Sequence, residues 1–265
     1  MATLTKTPTT PMSLPMAYVD PGRPLATVYA HLNDWAHLNA ALETLEGRGA
    51  HPRLVYAYEM PQSRQLLAML VLQSEAGASE LSHTLSSISG LTVVSVQPPD
   101  RGLAMAEQQA PNLVGTAAVI FGRPIIGSLT DGIIKALGEE GEKLLHQRGR
   151  EAGTMAASAL PPLLQQLGVS VNVDLLTKRL VDLQVMGWAT VDGATVNEDL
   201  HGTITLVDTF ESEGWKGKAT SPKCLFISGF IAGVFSFAFQ RQFDCTETQC
   251  QATGAAKCQF TLQPS

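Results

Sequence analysis

The chain has 265 residues, of which 45% are hydrophobic and 16% are charged, the balance of a globular protein with ample apolar material for a core. Its formal net charge is −6. A nucleic acid or an anionic membrane would favour a basic face, so the charge argues against either as the main partner. At about 100–200 residues per domain, this length predicts one large domain or two small ones.

The amino terminus and the most apolar segment bear on location. Residues 1–12 are rich in Thr and Pro and lack the apolar core of a secretory signal, so we predict a disordered tail and a cytoplasmic chain. The longest apolar run, residues 224–239, is shorter than the roughly 20 residues that cross a bilayer. We therefore predict a buried core helix and no membrane span.

Residues 13–99 predict an α+β domain of the ferredoxin-like type. The turn Asp20-Pro21-Gly22 comes before a run of apolar residues at helical spacing, and alternating apolar segments follow. The predicted order is β-α-β-β-α-β, with strands at 13–20, 53–60, 65–73 and 91–96 and helices at 25–45 and 79–88. This order and its first turn resemble the ACT family of regulatory domains. The resemblance implies a small effector held between paired domains, and a plain dimerisation or packing module is the alternative.

Residues 100–111 are polar and end in proline, so we predict a linker there and a second domain over 112–265. This domain is predicted as a mixed α/β unit, with helices first and then a sheet around one buried helix. The predicted helices are 125–145, 149–164, 174–183 and 223–239, and the predicted strands are 185–191, 203–210, 242–247 and 258–262.

All four cysteines lie after residue 223. Cys224, Glu247, Cys250 and Cys258 supply three thiolates and one carboxylate, which matches the four donors of a tetrahedral zinc site. Four protein ligands would leave no open position for water, which predicts a structural metal. Cys245 can replace Glu247, because positions two apart on a strand share a face. Disulfides and ordinary buried cysteines are the other interpretations, although a cytoplasmic chain keeps its thiols reduced.

The segment from Cys224 to Gly233, followed by Glu247-Thr-Gln-Cys250 and by Gly254-Ala-Ala-Lys-Cys258, resembles the 4-vinyl-reductase domain. That family includes bacteriochlorophyll vinyl reductases, archaeal hydrocarbon-binding proteins and the sensory domains of phenol-responsive activators. The resemblance implies that Cys224, Glu247, Cys250 and Cys258 bind zinc. The phenol sensors carry an aromatic residue two positions before the Glu, whereas this chain carries Cys245, so the resemblance does not specify phenol as the ligand.

The buried helix is rich in phenylalanine, and its glycines allow close approach of a neighbouring element. Such a core can leave a compact apolar cavity with a few polar groups. We predict that Trp188, His201, Phe226, Phe230 and Cys245 contact a small apolar or aromatic ligand. The alternative places the aromatic residues in the core and His201 in a surface loop.

These features predict a ligand-binding sensor or regulatory protein that pairs as a homodimer and passes its signal to a protein partner. One alternative is a subunit of a tetrapyrrole vinyl reductase, and another is an interaction scaffold like the subunits of the vesicle-tethering particle. Catalysis is the less favoured interpretation. The sequence has no nucleophile elbow, and the glycine pair Gly127 and Gly132 lacks the Lys of a phosphate-binding loop.

Overall fold

The computed structural model describes residues 1–6, 17–60, 63–105, 112–113, 116–117, 121–166 and 168–265. The chain divides into two compact units, each with its own core. The large unit comprises Met1–Thr10 and Ile120–Ser265, and the small unit comprises Pro11–Val119. Strand β1 (Ala2–Thr5) opens the chain and belongs to the large unit.

The small unit has the element order predicted from the sequence. Its elements are β2 (Ala17–Leu32), α1 (Trp35–Gly47), β3 (His51–Glu59), β4 (Leu66–Gln73), α2 (Ala78–Ser86), β5 (Leu91–Met105), β6 (Asn112–Leu113) and β7 (Thr116–Ala117). The order in the four-stranded sheet is β3-β4-β2-β5, with every neighbouring pair antiparallel. Leu38 and Leu45 of α1 and Leu81 and Leu85 of α2 pack on one face of this sheet.

The prediction of a helix over residues 25–45 is wrong in its first half, because β2 runs to Leu32. Leu25, Val28 and Tyr29 are buried in this central strand, whose two faces are both apolar. A strand buried on both faces is apolar at nearly every position, so part of its pattern coincides with helical spacing. The helix starts only after Asp34, whose side chain accepts the N–H of His37 at 3.0 Å.

The large unit continues with α3 (Arg123–Leu137), α4 (Glu139–Ser158), α5 (Leu160–Gln166), α6 (Val173–Arg179), α7 (Asp182–Val185), β8 (Thr190–Val196), β9 (Gly202–Val207), α8 (Leu225–Phe239), β10 (Phe243–Gln249) and β11 (Cys258–Pro264). Its antiparallel sheet has the order β1-β8-β9-β11-β10. Two predicted elements differ. Gly138, with φ of 57°, divides the helix predicted over 125–145, and the strand predicted over 185–191 starts only at Thr190.

Helix α8 is the centre of the large unit and packs closely against α4. A Cβ on Gly149 or Gly153 of α4 would lie 2.1 Å from the carbonyl oxygen of Phe226 or Phe230. Gly229 and Gly233 of α8 face α4 in the same way. The two backbones are therefore in contact, and only glycine fits at these positions. Among the described residues, no helix is both long enough and apolar enough to cross a membrane.

The α+β class is confirmed, with two larger antiparallel sheets, whereas the ferredoxin-like and ACT-like interpretations of the small unit stay predictions. The domain limits also stay predictions, and the structure differs from two of them. Ala2–Thr5 of the predicted tail pair with Val196 to Gly193 of β8, because Ala2 and Leu4 reach the apolar core. Residues 100–105 of the predicted linker complete β5, and 7–12 and 106–111 lie outside the described residues.

Candidate metal centre and aromatic cluster

Four residues that are distant in sequence converge in the large unit. Cys224 precedes α8, Glu247 lies on β10, Cys250 follows that strand, and Cys258 begins β11. One ligand atom from each lies within 4.8 Å of all the others. The three Sγ–Sγ distances are 3.6, 3.9 and 3.9 Å. Sulfur atoms at 2.3 Å from a tetrahedral zinc would be about 3.8 Å apart, so the spacing fits such an ion.

A bulge and a tight turn bring the last three of these residues together. The register of β10 and β11 shifts between Glu247 and Gln249, and a 3₁₀ turn at Gln251–Thr253 follows. The chain then reverses at Gly254, whose φ of 95° favours glycine. The N–H of Gln251 donates to Sγ of Cys258 at 3.4 Å. This loop therefore supplies both thiols and a donor for one of them.

The carboxylate of Glu247 has one oxygen in use and one without a partner. Oε2 accepts the backbone N–H of Cys224 at 2.9 Å, whereas Oε1 is buried and has no hydrogen-bond partner among the described residues. A buried oxygen without a partner costs free energy. Because this oxygen belongs to the convergent group, a bound cation would satisfy it, and the donor set therefore fits a metal ion.

Electrostatics support the same conclusion. Burial raises the pKa of Glu247 to about 8 and holds the pKa of the Cys224 thiol well above its usual range. Hydrogen bonds from Cys224 and Cys258 lower the pKa of Cys250. The hydroxyl of Thr209 lies 3.1 Å from Sγ of Cys224. Several buried anionic donors are stable together only with a compensating positive charge, which a divalent cation supplies.

Cys245 lies outside this convergent group. It is buried on β10 opposite Leu262, and burial raises the pKa of its thiol. Among the described residues, the group that can hold a metal contains Glu247 and not Cys245. The arrangement with Glu247 is therefore the one that the geometry favours over four cysteines.

Three of the predicted ligand contacts meet in an aromatic cluster. The ring of Trp188 packs edge-to-face on Phe210, Phe226 and Phe230, with centroid distances of 6.1, 5.6 and 4.9 Å. Within the described residues, the indole N–H of Trp188 has no hydrogen-bond partner. Phe226 lies two residues after Cys224, so the first turn of α8 belongs both to this cluster and to the convergent cysteines.

His201 and Cys245 are not part of the aromatic cluster. His201 is exposed in the turn between β8 and β9, where its N–H donates to Asn197. It lines an open cavity of about 310 Å³ together with Met1, Asn197 and Thr203. The structure therefore brings together Trp188, Phe226 and Phe230 from the predicted set, and adds Phe210.

Glu211 is a functional candidate that the sequence analysis did not identify. It is buried, and its two oxygens accept the N–H groups of Phe226 and Ile227 at 2.8 and 2.9 Å. Burial raises its pKa to about 8. These N–H groups open α8 and would otherwise have no acceptor. Because the carboxylate comes from 14 residues before the helix, local capping patterns give no signal for it.

The fold and the site define the class, an α+β domain with a buried Cys₃Glu group on a glycine-packed helix. The family profile of the vinyl-4-reductase domain matches residues 203–264, so the resemblance to the 4-vinyl-reductase family is confirmed for this segment. No curated protein sequence matches the chain significantly.

Three solved structures have similar folds. The phenol-responsive sensory domain of the transcription activator PoxR, with phenol, is 18% identical, has a TM-score of 0.50, and covers 57% of this chain and 79% of that one. A vinyl-4-reductase family protein from Methanocaldococcus jannaschii is 20% identical, with a TM-score of 0.39 and coverage of 56% and 84%. A trafficking protein particle complex subunit 3 from Naegleria fowleri, covalently bound to palmitic acid, is 14% identical, with a TM-score of 0.40 and coverage of 54% and 92%.

Proposed function

We propose that the large unit is a sensory or regulatory module that binds a small apolar or aromatic molecule. The observation that carries this proposal is the aromatic cluster, in which Trp188, Phe226 and Phe230 meet on the first turn of α8. Rings in edge-to-face contact readily accommodate another ring, and the indole N–H offers one directional donor. The likeness of fold to the PoxR sensory domain supports the same class of role.

We further propose that Cys224, Glu247, Cys250 and Cys258 hold one structural zinc ion. Bound there, zinc would neutralise the buried thiolates and link the start of α8 to β10 and β11. The residues of the chain position the aromatic cluster, since Cys224 and Phe226 share one helical turn. Output passes through pairing of two chains or through a protein partner, and the module itself catalyses no reaction.

Metal content tests the zinc site. We expect about one zinc per chain in protein purified without a metal-affinity tag, because four protein ligands complete a tetrahedral site. Cys258→Ala should lose the zinc together with cooperative folding. Cys245→Ala is the matched control, since this thiol is buried but lies outside the group, and it should keep its zinc. A folded, metal-free wild type would contradict the proposal.

Ligand binding is tested on the zinc-loaded protein with phenol and toluene as probes. We expect one of them to raise the melting temperature and to change tryptophan fluorescence, with Trp188→Leu abolishing both effects. Trp215→Leu is the control, because Trp215 contacts Lys135 and Lys223 and is outside the cluster. Loaded protein that responds to neither probe but binds a porphyrin would favour the reductase-subunit alternative. A response to none of the three would favour a scaffold.

A further inference from the structure

Helix α3 has its charged and apolar residues on unexpected sides. Within this fully described helix, Arg123, Asp131 and Lys135 are the only charged residues, and all three contact their own unit. Arg123 donates to the carbonyl oxygens of Gly187 and Asp208 at 2.6 and 2.9 Å. Asp131 accepts the indole N–H of Trp215, and Nζ of Lys135 lies 5.8 Å from the centre of that ring.

The opposite side of α3 is apolar and faces outward. Ile125, Leu129 and Leu137 are each more than half exposed, at 55%, 53% and 53%. Ile125, Leu129, Gly132 and Ala136 follow one another at helical spacing and form a single stripe. A surface helix normally presents its charges to water and its apolar stripe to the core. An outward apolar stripe without charge therefore indicates a surface that another apolar surface covers.

The outward stripe is complementary to itself. When two copies of α3 pack antiparallel about an axis between Leu129 and Gly132, Ile125 lies opposite Ala136, Leu129 opposite Gly132, and Ile133 opposite Ser128. Every large side chain then faces a small one, which is how packed helices fill space. Because the stripe carries no charge, the second copy meets no repulsion. A lipid surface would instead favour basic residues beside the stripe, and both basic residues of α3 are already engaged.

We propose that this stripe of α3 (Ile125, Ser128, Leu129, Gly132, Ile133 and Ala136) is the surface through which two copies of the chain pair antiparallel. The inner side of the same helix touches both flanks of the aromatic cluster. Arg123 holds Gly187, the neighbour of Trp188, and a Cβ on Gly127 would lie 3.1 Å from the carbonyl oxygen of Phe210. The link from ligand to pairing rests on the proposed function, whereas the pairing surface does not.

Sedimentation of the full chain over a range of concentrations tests the surface. We expect the wild type to pair and Leu129→Glu to weaken pairing by at least about tenfold, since the interface centre carries most of the binding free energy. Val185→Glu is the control, because Val185 is 74% exposed in the same unit but lies on α7, and it should pair like the wild type. Zinc content and melting temperature of each variant show that it is folded.

The register has its own test. Gly132→Lys should also weaken pairing, and an equimolar mixture of the Leu129→Glu and Gly132→Lys chains should restore it, because the two new charges lie opposite each other. A wild type that stays monomeric, or a Leu129→Glu chain that pairs normally, would overturn the proposal. So would a monomeric wild type that binds vesicles of phosphatidylcholine and phosphatidylserine through this stripe. The phenol and toluene shifts are measured separately on Leu129→Glu, so failure of pairing is distinguished from failure of ligand binding.

Discussion

The carboxylate of Glu211 connects the aromatic cluster to the metal centre. It follows Phe210 directly, and it accepts the N–H groups of Phe226 and Ile227 in the turn that begins after Cys224. A carboxylate at a helix start also interacts favourably with the helix dipole. One buried side chain therefore fixes the turn on which both sites depend.

We expect Glu211→Ala to lower the free energy of unfolding of the zinc-loaded protein by about 2 kcal/mol, because two buried N–H groups lose their acceptor. Urea unfolding at fixed pH measures the change. Glu213→Ala is the control, since Glu213 is exposed in the next turn and its loss should change stability by less than about 0.5 kcal/mol. Equal stabilities of the two variants would show that Glu211 does not cap α8.

At the scale of residues, the sequence predicted the convergent group better than the ligand contacts. Cys224, Glu247, Cys250 and Cys258 carry a spacing that their chemistry makes recognisable, and the structure places them together. His201 carried no such signal, and it lies in an exposed turn away from the aromatic rings. Phe210 and Glu211 were missed because their partners come from another part of the chain.

At the scale of elements, the contact between α4 and α8 depends on four glycines. We expect Gly153→Ala to destabilise the large unit by at least about 2 kcal/mol, because the new Cβ would meet the carbonyl oxygen of Phe230 and neither backbone can move freely. Thermal unfolding measures the effect. The control is Gly214→Ala, where a Cβ would make an ordinary contact of 3.8 Å with Asp131. Similar melting temperatures for the two variants would mean that the helices can separate without cost.

Element boundaries were predicted well where caps or glycines mark them and poorly where burial overrides periodicity. The apolar helix was predicted over 223–239 and is observed as Leu225–Phe239. In contrast, β2 was taken for the start of a helix because both of its faces are buried. Whether a segment is buried on one face or two is decided by its neighbours, which a single stretch of sequence does not contain.

At the scale of the whole molecule, the sheet of the large unit includes a strand from the far end of the chain. Leu4 of β1 packs against the core of that unit, whereas Thr3 points outward. We expect Leu4→Asp to destabilise the large unit by about 2 kcal/mol, because the charge replaces buried apolar surface. Thr3→Asp, on the exposed face of the same strand, should change stability by less than about 0.5 kcal/mol. Hydrogen exchange of the β8 amides reports the loss of β1, and equal protection in both variants would contradict its role.

The position of β1 has a consequence for synthesis of the protein. Ala2 pairs with Val196, so the first strand leaves the ribosome long before its neighbour exists. At about 5–20 residues per second, the wait lasts on the order of ten to forty seconds. The small unit, encoded between the two strands, can fold during this interval, while the sheet that β1 joins closes only after the last cysteines have emerged. The nascent chain therefore exposes an unpaired apolar strand for most of its synthesis, and this interval is when a chaperone would act on it.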